Sequence, residues 1–293
     1  MSSQPVMPYR PPLALSLAWL CAAAWLVALI VGAAAPPPSS AARVMQALLL
    51  LFVLLHAGVT YGVRGLGLFA LLVGLVSFAM EASSITTGFP FGYYVHHLAG
   101  PRILDVPLGI VVGWIVLGWF GWTLARLIAR RDPAAPTPWD RFLTPLIGTF
   151  LLGGYDLAAD PVAATVHALY SYRVPSGLFG VPLVNFLGWL LTGWLAMQLF
   201  ALVEPHLTVR PVVERRSYWL VPVLVWLVMP LTYVAEFLRA GTATVAVDGR
   251  RFLVSDVLES AISCALFTTV ATSVLGLIRL IQRPGRENTP DPR

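Results

Sequence analysis

The sequence predicts an all-α fold, a polytopic bundle of about eight transmembrane helices, and three observations carry that reading. Of 293 residues, 58% belong to the hydrophobic set and only 11% are charged, against about a quarter charged in an average soluble domain. Mean hydropathy is +0.78. Apolar runs of about 20 residues, enough to cross a bilayer, recur along the whole length.

The runs place helices at 13–34, 44–62, 66–83, 108–128, 142–158, 183–203, 218–238 and 257–281. The first ends near Ala33-Ala34-Ala35, which resembles a signal-peptidase site. Its apolar stretch is longer than the 7–15 residues of a signal core, so a retained helix is expected. The linker from Ala35 to Arg43 contains Pro36-Pro37-Pro38 and reads as extended. Only Val63-Arg64-Gly65 separates the second and third runs, which predicts an antiparallel hairpin. Thr244 to Val254, around Asp248-Gly249, alternates like a small β-hairpin. Residues 1–281 read as one transmembrane domain, and 282–293 as a polar, disordered tail.

All nineteen basic residues are Arg, which excludes a side-chain Schiff base to an aldehyde. They are scattered, so the net charge of +5 does not indicate nucleic-acid binding. With the N-terminus inside, the inner side collects Arg10, Arg64, Arg126, Arg130, Arg131, Arg141, Arg210, Arg215, Arg216, Arg279, Arg283, Arg286 and Arg293. The outer side has Arg43, Arg102, Arg173, Arg239, Arg250 and Arg251. This bias predicts both termini in the cytoplasm of a prokaryote. Cys21 and Cys264 lie within apolar spans and read as buried thiols.

That topology gathers Glu81, Asp156, Asp160, Asn185, Glu236, Asp256 and Glu259 near the outer interface. Several have ordinary explanations. Asp256 and Glu259 suit a helix N-terminus, Glu236 reaches toward Arg239, and Asp160 before Pro161 reads as an N-cap. Glu81 and Asp156 interrupt helices that are still apolar, where carboxyls persist mainly for function. Polar residues look scarce in the inner halves of the helices.

An internal repeat links those two carboxyls. Val106-Pro107-Leu108 with Gly113-Trp114 and Gly118-Trp119 matches Val181-Pro182-Leu183 with Gly188-Trp189 and Gly193-Trp194, at an offset of 75 residues. Glu81 and Asp156 are separated by the same 75. Two tandem helical hairpins, third with fourth and fifth with sixth, would form a parallel repeat about the membrane normal.

Between the third and fourth helices runs Glu81-Ala82-Ser83-Ser84-Ile85-Thr86-Thr87-Gly88-Phe89-Pro90-Phe91-Gly92-Tyr93-Tyr94, then His96-His97. Together with Asp156-Leu157-x-x-Asp160-Pro161 and Phe179-Gly180-Val181-Pro182-x-x-Asn185-Phe186-x-Gly188-Trp189, it resembles the membrane carotenoid 1,2-hydratase family. The motifs cover a little over a third of the chain. The resemblance implies addition of water across the C-1/C-2 double bond of an acyclic ψ-end group, in a γ-carotene, lycopene or bisanhydrobacterioruberin type of carotenoid. It implies no cofactor, a bilayer location and association with other carotenoid biosynthesis enzymes. Two departures stand out: His96 where the family often has an aromatic, and Tyr170 and Tyr172 where it often has Trp.

Such hydration needs a protonated carboxyl to deliver a proton to the less substituted carbon, aromatic faces for the tertiary cation, and a base to orient water. On this reading Asp156 is the donor, and Glu81 its proton-sharing partner or the water base; the two roles are interchangeable. Asp160 and Asn185 position water. Phe89, Phe91, Tyr93, Tyr94, Trp114 and Trp189 wall the end-group pocket, with His96 and His97 as secondary groups. Two other readings compete. Asp156-x-x-x-Asp160 suits a Mg-dependent prenyl-type transferase, but no second Asp-rich motif is present. A proton-coupled transporter would also use intramembrane acids, but the polar-poor inner halves count against a path. A di-iron oxygenase lacks its histidine clusters. Gly65-x-Gly67-x-x-Ala70 opens a membrane helix without a preceding strand and is no dinucleotide site.

Overall fold

The computed structural model describes residues 12–34, 41–130 and 137–282. Most of the Pro-rich linker and the predicted tail beyond 282 lie outside the described residues. Within them, seven apolar helical segments are long enough to cross a membrane, and one of these folds back on itself to make an eighth crossing.

Helix α1 (Leu13–Ala34) forms where its apolar run predicts. Helix α2 (Ala41–Thr87) contains the second and third predicted runs, broken only at Gly62 with φ 69° and ψ −176°. That backbone is open to glycine and costly for any residue with a Cβ. One residue therefore reverses the chain. Gln46 on the first arm and Glu81 on the second line the same cavity, as the predicted hairpin requires. The reversal is tighter than three linker residues would make it, because Val63 already belongs to the second arm.

Helices α3 (Leu108–Ala129), α4 (Asp140–Pro161) and α5 (Leu183–Val203) follow. Pro161 does not open a helix. It continues α4 into a wide π turn, Val162–Val166, so Asp160 sits in a helix's last turn rather than at an N-cap. Proline lacks the N–H that an α-helical turn would use, and the wider turn accommodates it. The seventh span divides at Pro230 into α6 (Arg216–Val228) and α7 (Leu231–Ala240). The eighth comprises α8 (Val254–Ala265), a π turn and α9 (Ala271–Gln282).

Six short strands occupy the connections. β1 (Tyr94–His96) pairs with β4 (Tyr170–Tyr172), β2 (Arg102–Ile103) with β3 (Val106–Pro107), and β5 (Thr244–Val247) with β6 (Arg250–Leu253). The last pair is the predicted hairpin, turning through Asp248 and Gly249 at positive φ. The β1–β4 pairing bears on the repeat. Tyr94 faces Tyr172, Val95 faces Ser171 and His96 faces Tyr170, a register that an offset of 76 residues maps onto itself. Trp114 stacks on Trp189, its equivalent at offset 75, with centroids 4.0 Å apart. Both contacts join segments related by offsets of 75 or 76, close to the 75 of the repeat read in the sequence.

The end of the bundle away from Glu81 corrects the expectation of a polar-poor interior. Glu204 accepts from Arg130 at 3.0 and 2.5 Å and from the Tyr61 hydroxyl, with Arg126 Nε 3.4 Å away. Trp119 donates to His56 Nδ1 at 3.1 Å, so His56 Nε2 carries the hydrogen it shares with the Tyr218 carbonyl at 2.8 Å. Thr60 bonds the Tyr218 hydroxyl. Arg126 and Arg130, counted above among the inner-side arginines, are buried at 0% and 3% exposure. Burial makes them partners of Glu204 rather than topology signals, a role the sequence reading assigned to none of the three.

Candidate active site

Four residues singled out from the sequence, Glu81, Asp156, Asp160 and Asn185, line one cavity of about 360 Å³. All four are buried, at 5%, 0%, 7% and 3% exposure. The other acids of that group do not join them. Asp256 and Glu259 are exposed on α8. Glu236 lines a neighbouring cavity, as does Arg239, and pairs with His167 at 3.2 Å.

The loop after α2 forms one wall. Gly88 has φ 81°, and a Cβ there would lie 2.7 Å from the Tyr93 ring, so only glycine lets the chain turn at that point. Ser84 Oγ accepts from the Phe91 N–H at 2.9 Å and donates to the Gly92 carbonyl at 2.8 Å, tying the loop to the helix end. The chain then extends as β1, where side chains alternate. Tyr94 and His96 turn inward and are buried, while Tyr93 and Val95 are exposed.

That alternation decides which aromatics reach the cavity. Phe91, Tyr94, His96, Trp114 and Trp189 line it, as do Tyr170 and Tyr172 from β4. Phe89 and Tyr93, expected in the wall, lie outside it at 57% and 43% exposure. Tyr93 packs its ring under the Arg173 guanidinium instead, 5.6 Å from ring centroid to charge centre. His97 is also outside and contacts Ser171 at 2.8 Å. Gln46 and Tyr155 line the cavity without having been singled out. The adjacency of Tyr155 to Asp156 was a usable signal, whereas Gln46 enters only through the fold at Gly62.

The carboxyls differ in their surroundings. Glu81 is satisfied on both oxygens: Trp114 Nε1 donates to Oε1 at 2.8 Å, Tyr94 donates to Oε2, and His96 Nε2 lies 3.3 Å from Oε2. Burial and the Glu81 charge hold the Tyr94 phenol protonated, far above its usual range. Asp160 accepts from Tyr170 on Oδ1 and from Asn185 on Oδ2 at 2.5 Å. The Tyr170 phenol is likewise held protonated, first by burial and then by Asp160. Asp156 accepts from Asn185 on Oδ2 at 3.2 Å. Its Oδ1 has no hydrogen-bond partner among the described residues. Asp156 and Asp160, one turn apart, are in side-chain contact.

This arrangement can bind an apolar group against a stacked indole pair, beside carboxyls buried in the same wall. Among the described residues, no three His, Cys, Asp or Glu side chains converge in a metal-binding group. Among the described residues, His96 is the one basic side chain in the cavity wall.

Comparison with known proteins agrees with the site's character. A family model described as "Carotenoid biosynthesis protein" matches residues 39–255, which contain every residue of the cavity wall. Bisanhydrobacterioruberin hydratase of Haloarcula japonica is 33% identical over 139 residues, covering 47% of this chain and 45% of that protein. The chain thus aligns with somewhat under half of that curated relative. No solved structure matches. With eight apolar crossings and a family match over most of its length, the chain is an integral membrane protein belonging to the carotenoid biosynthesis protein family.

Proposed function

We propose that this protein is a carotenoid hydratase, adding water across the C-1/C-2 double bond of an acyclic ψ-end group to give a tertiary 1-hydroxy carotenoid. The observation that carries this is Asp156: wholly buried in the wall of the cavity that Trp114 and Trp189 also line, with an Oδ1 that has no hydrogen-bond partner among the described residues. An alkene offers no polar handle, so a proton must come from an acid held against it. Carboxyls crowded into apolar surroundings are the means by which proteins keep one of them protonated. The relative named as a hydratase supports the same chemistry.

Asp156 delivers its proton to C-2, and the C-1 cation that results is tertiary. The stacked indoles and Phe91 offer it electron-rich faces, worth about 2 kcal/mol or more when desolvated. Glu81, held by Trp114 and Tyr94 on its two oxygens, is a further carboxyl fixed in the same cavity wall. Water held by Asp160 and Asn185 attacks C-1 and loses a proton to the Asp160 carboxylate. Contact between Asp160 and Asp156 returns that proton to the donor. One water is consumed, the addition is redox-neutral, and the acid pair ends as it began.

The reading places the protein in the cytoplasmic membrane with both termini inside, its substrate drawn from the bilayer. Expression in a host accumulating lycopene tests it. The expected product is heavier by one water, forms without oxygen, and carries solvent deuterium at C-2. A hydroxyl derived from oxygen overturns the proposal, and chelator-sensitive dependence on a prenyl diphosphate points to transferase chemistry instead.

A further inference from the structure

The acid cavity has a neighbour that hydration chemistry does not use. A second cavity, of about 340 Å³, lies between α1, the first arm of α2 and the α6–α7 span, lined by the apolar Trp25, Leu29, Met45, Leu49 and Met229 together with Tyr233, Thr232, Glu236 and Arg239. Gln46 and Tyr155 belong to the walls of both cavities.

We propose that the two cavities form one bent binding path, in which the second seats the polyene chain of the substrate while its end group occupies the first. This rests on the hydratase reading for the identity of the end group but not for the path itself. The first cavity lies at the small end of ligand pockets and takes only one end of a long isoprenoid, so the chain must leave it somewhere. The partition at Gln46 and Tyr155 is the exit that already adjoins space. The lining also suits a conjugated chain better than a saturated one. Met45 and Met229 supply polarisable sulfur. Trp25 adds an aromatic side chain to the same wall. Leu49 sits on this wall and not on that of the acid cavity, which makes it the position at which to block the path.

The experiment pairs Leu49→Trp with the milder Leu49→Phe in the full-length protein, purified from lycopene-accumulating cells. One readout is the lycopene absorbance retained per mole of protein. The other is the turnover of lycopene relative to a short acyclic isoprenoid bearing the same end group. The path predicts that retained pigment falls at least fivefold in Leu49→Trp and by an intermediate amount in Leu49→Phe. The long-to-short turnover ratio is expected to fall at least tenfold. Equal losses on long and short substrates, or unchanged retention in both variants, overturn it. Recovery of phospholipid acyl chains in place of pigment, insensitive to Leu49, overturns it as well and assigns the space to lipid. Pigment retention that depends on Leu49, without any hydrated product, supports the path while removing the hydratase reading.

Discussion

Replacing Asp156 with Asn tests the chemistry at its narrowest point. The amide has the size and shape of the carboxyl, the side chain is wholly buried, and the contact to Asn185 at 3.2 Å can be remade by turning one amide. Packing therefore changes little, and what disappears is the transferable proton at the unengaged oxygen. General acid catalysis is worth about 10²–10⁴ in rate, or roughly 3–5 kcal/mol at 1.36 kcal/mol per decade. Asp156→Asn should accordingly convert lycopene at no more than about one hundredth of the parent rate, while still retaining the pigment on purification. The assay is quantification of the hydrated product in membranes normalised to protein. Glu81→Gln should also lose activity, because an amide nitrogen would face the donors Tyr94 and Trp114. If both variants hydrate lycopene at the parent rate, the acid pair has no part in the reaction and the assignment fails.

Other expectations follow from the same geometry. Glu204→Gln leaves Arg126 and Arg130 buried without their carboxylate and should cost about 3–5 kcal/mol of stability, read from unfolding in mixed detergent and denaturant. In Gly188→Ala, the new Cβ would lie 2.4 Å from Phe91 Cδ1 and 2.8 Å from the Pro90 carbonyl. That overpacking should cost about 1–3 kcal/mol and shift the loop that carries Tyr94, lowering activity more than expression. Hydrogen bonding to Glu236 raises the His167 pKa, so the pair stabilises the fold fully below the ordinary histidine range. That contribution is lost as pH rises through the raised value. Both side chains are partly exposed, which limits the effect to under about 1 kcal/mol. A melting temperature that falls modestly between pH 6 and pH 8, with the fall abolished in His167→Gln, would bear this out.

How much of this was legible beforehand depends on the range of the interaction involved. Glu81 and Asp156 stood out because a carboxyl in a running apolar helix is costly in lipid, and the repeat offset tied them together before any coordinates. The aromatic wall was only partly readable. Composition marks the loop 88–97 as unusual but does not say which rings turn inward, and β1 settled that by sending Tyr94 and His96 one way and Tyr93 the other. Glu204 was passed over because it ends an apolar helix, where a charge normally reaches water. Its burial follows from Arg126 and Arg130 arriving on a different helix. Asp160 was read as a cap because Pro161 follows it, and the π turn reversed that reading.

The amino-acid sequence by itself determined the solvent, the number of crossings and the two acids that membrane burial makes expensive, since each depends on local hydropathy and the cost of charge in lipid. Tertiary structure alone decided which polar groups satisfy one another. It put Asn185 between Asp156 and Asp160, gave Glu81 three partners, left one oxygen of Asp156 with none among the described residues, and set a second cavity across Gln46 and Tyr155. Those outcomes arise from contacts between helices far apart in the chain, where hydrogen-bond geometry and packing, rather than any residue's own preference, choose the partner.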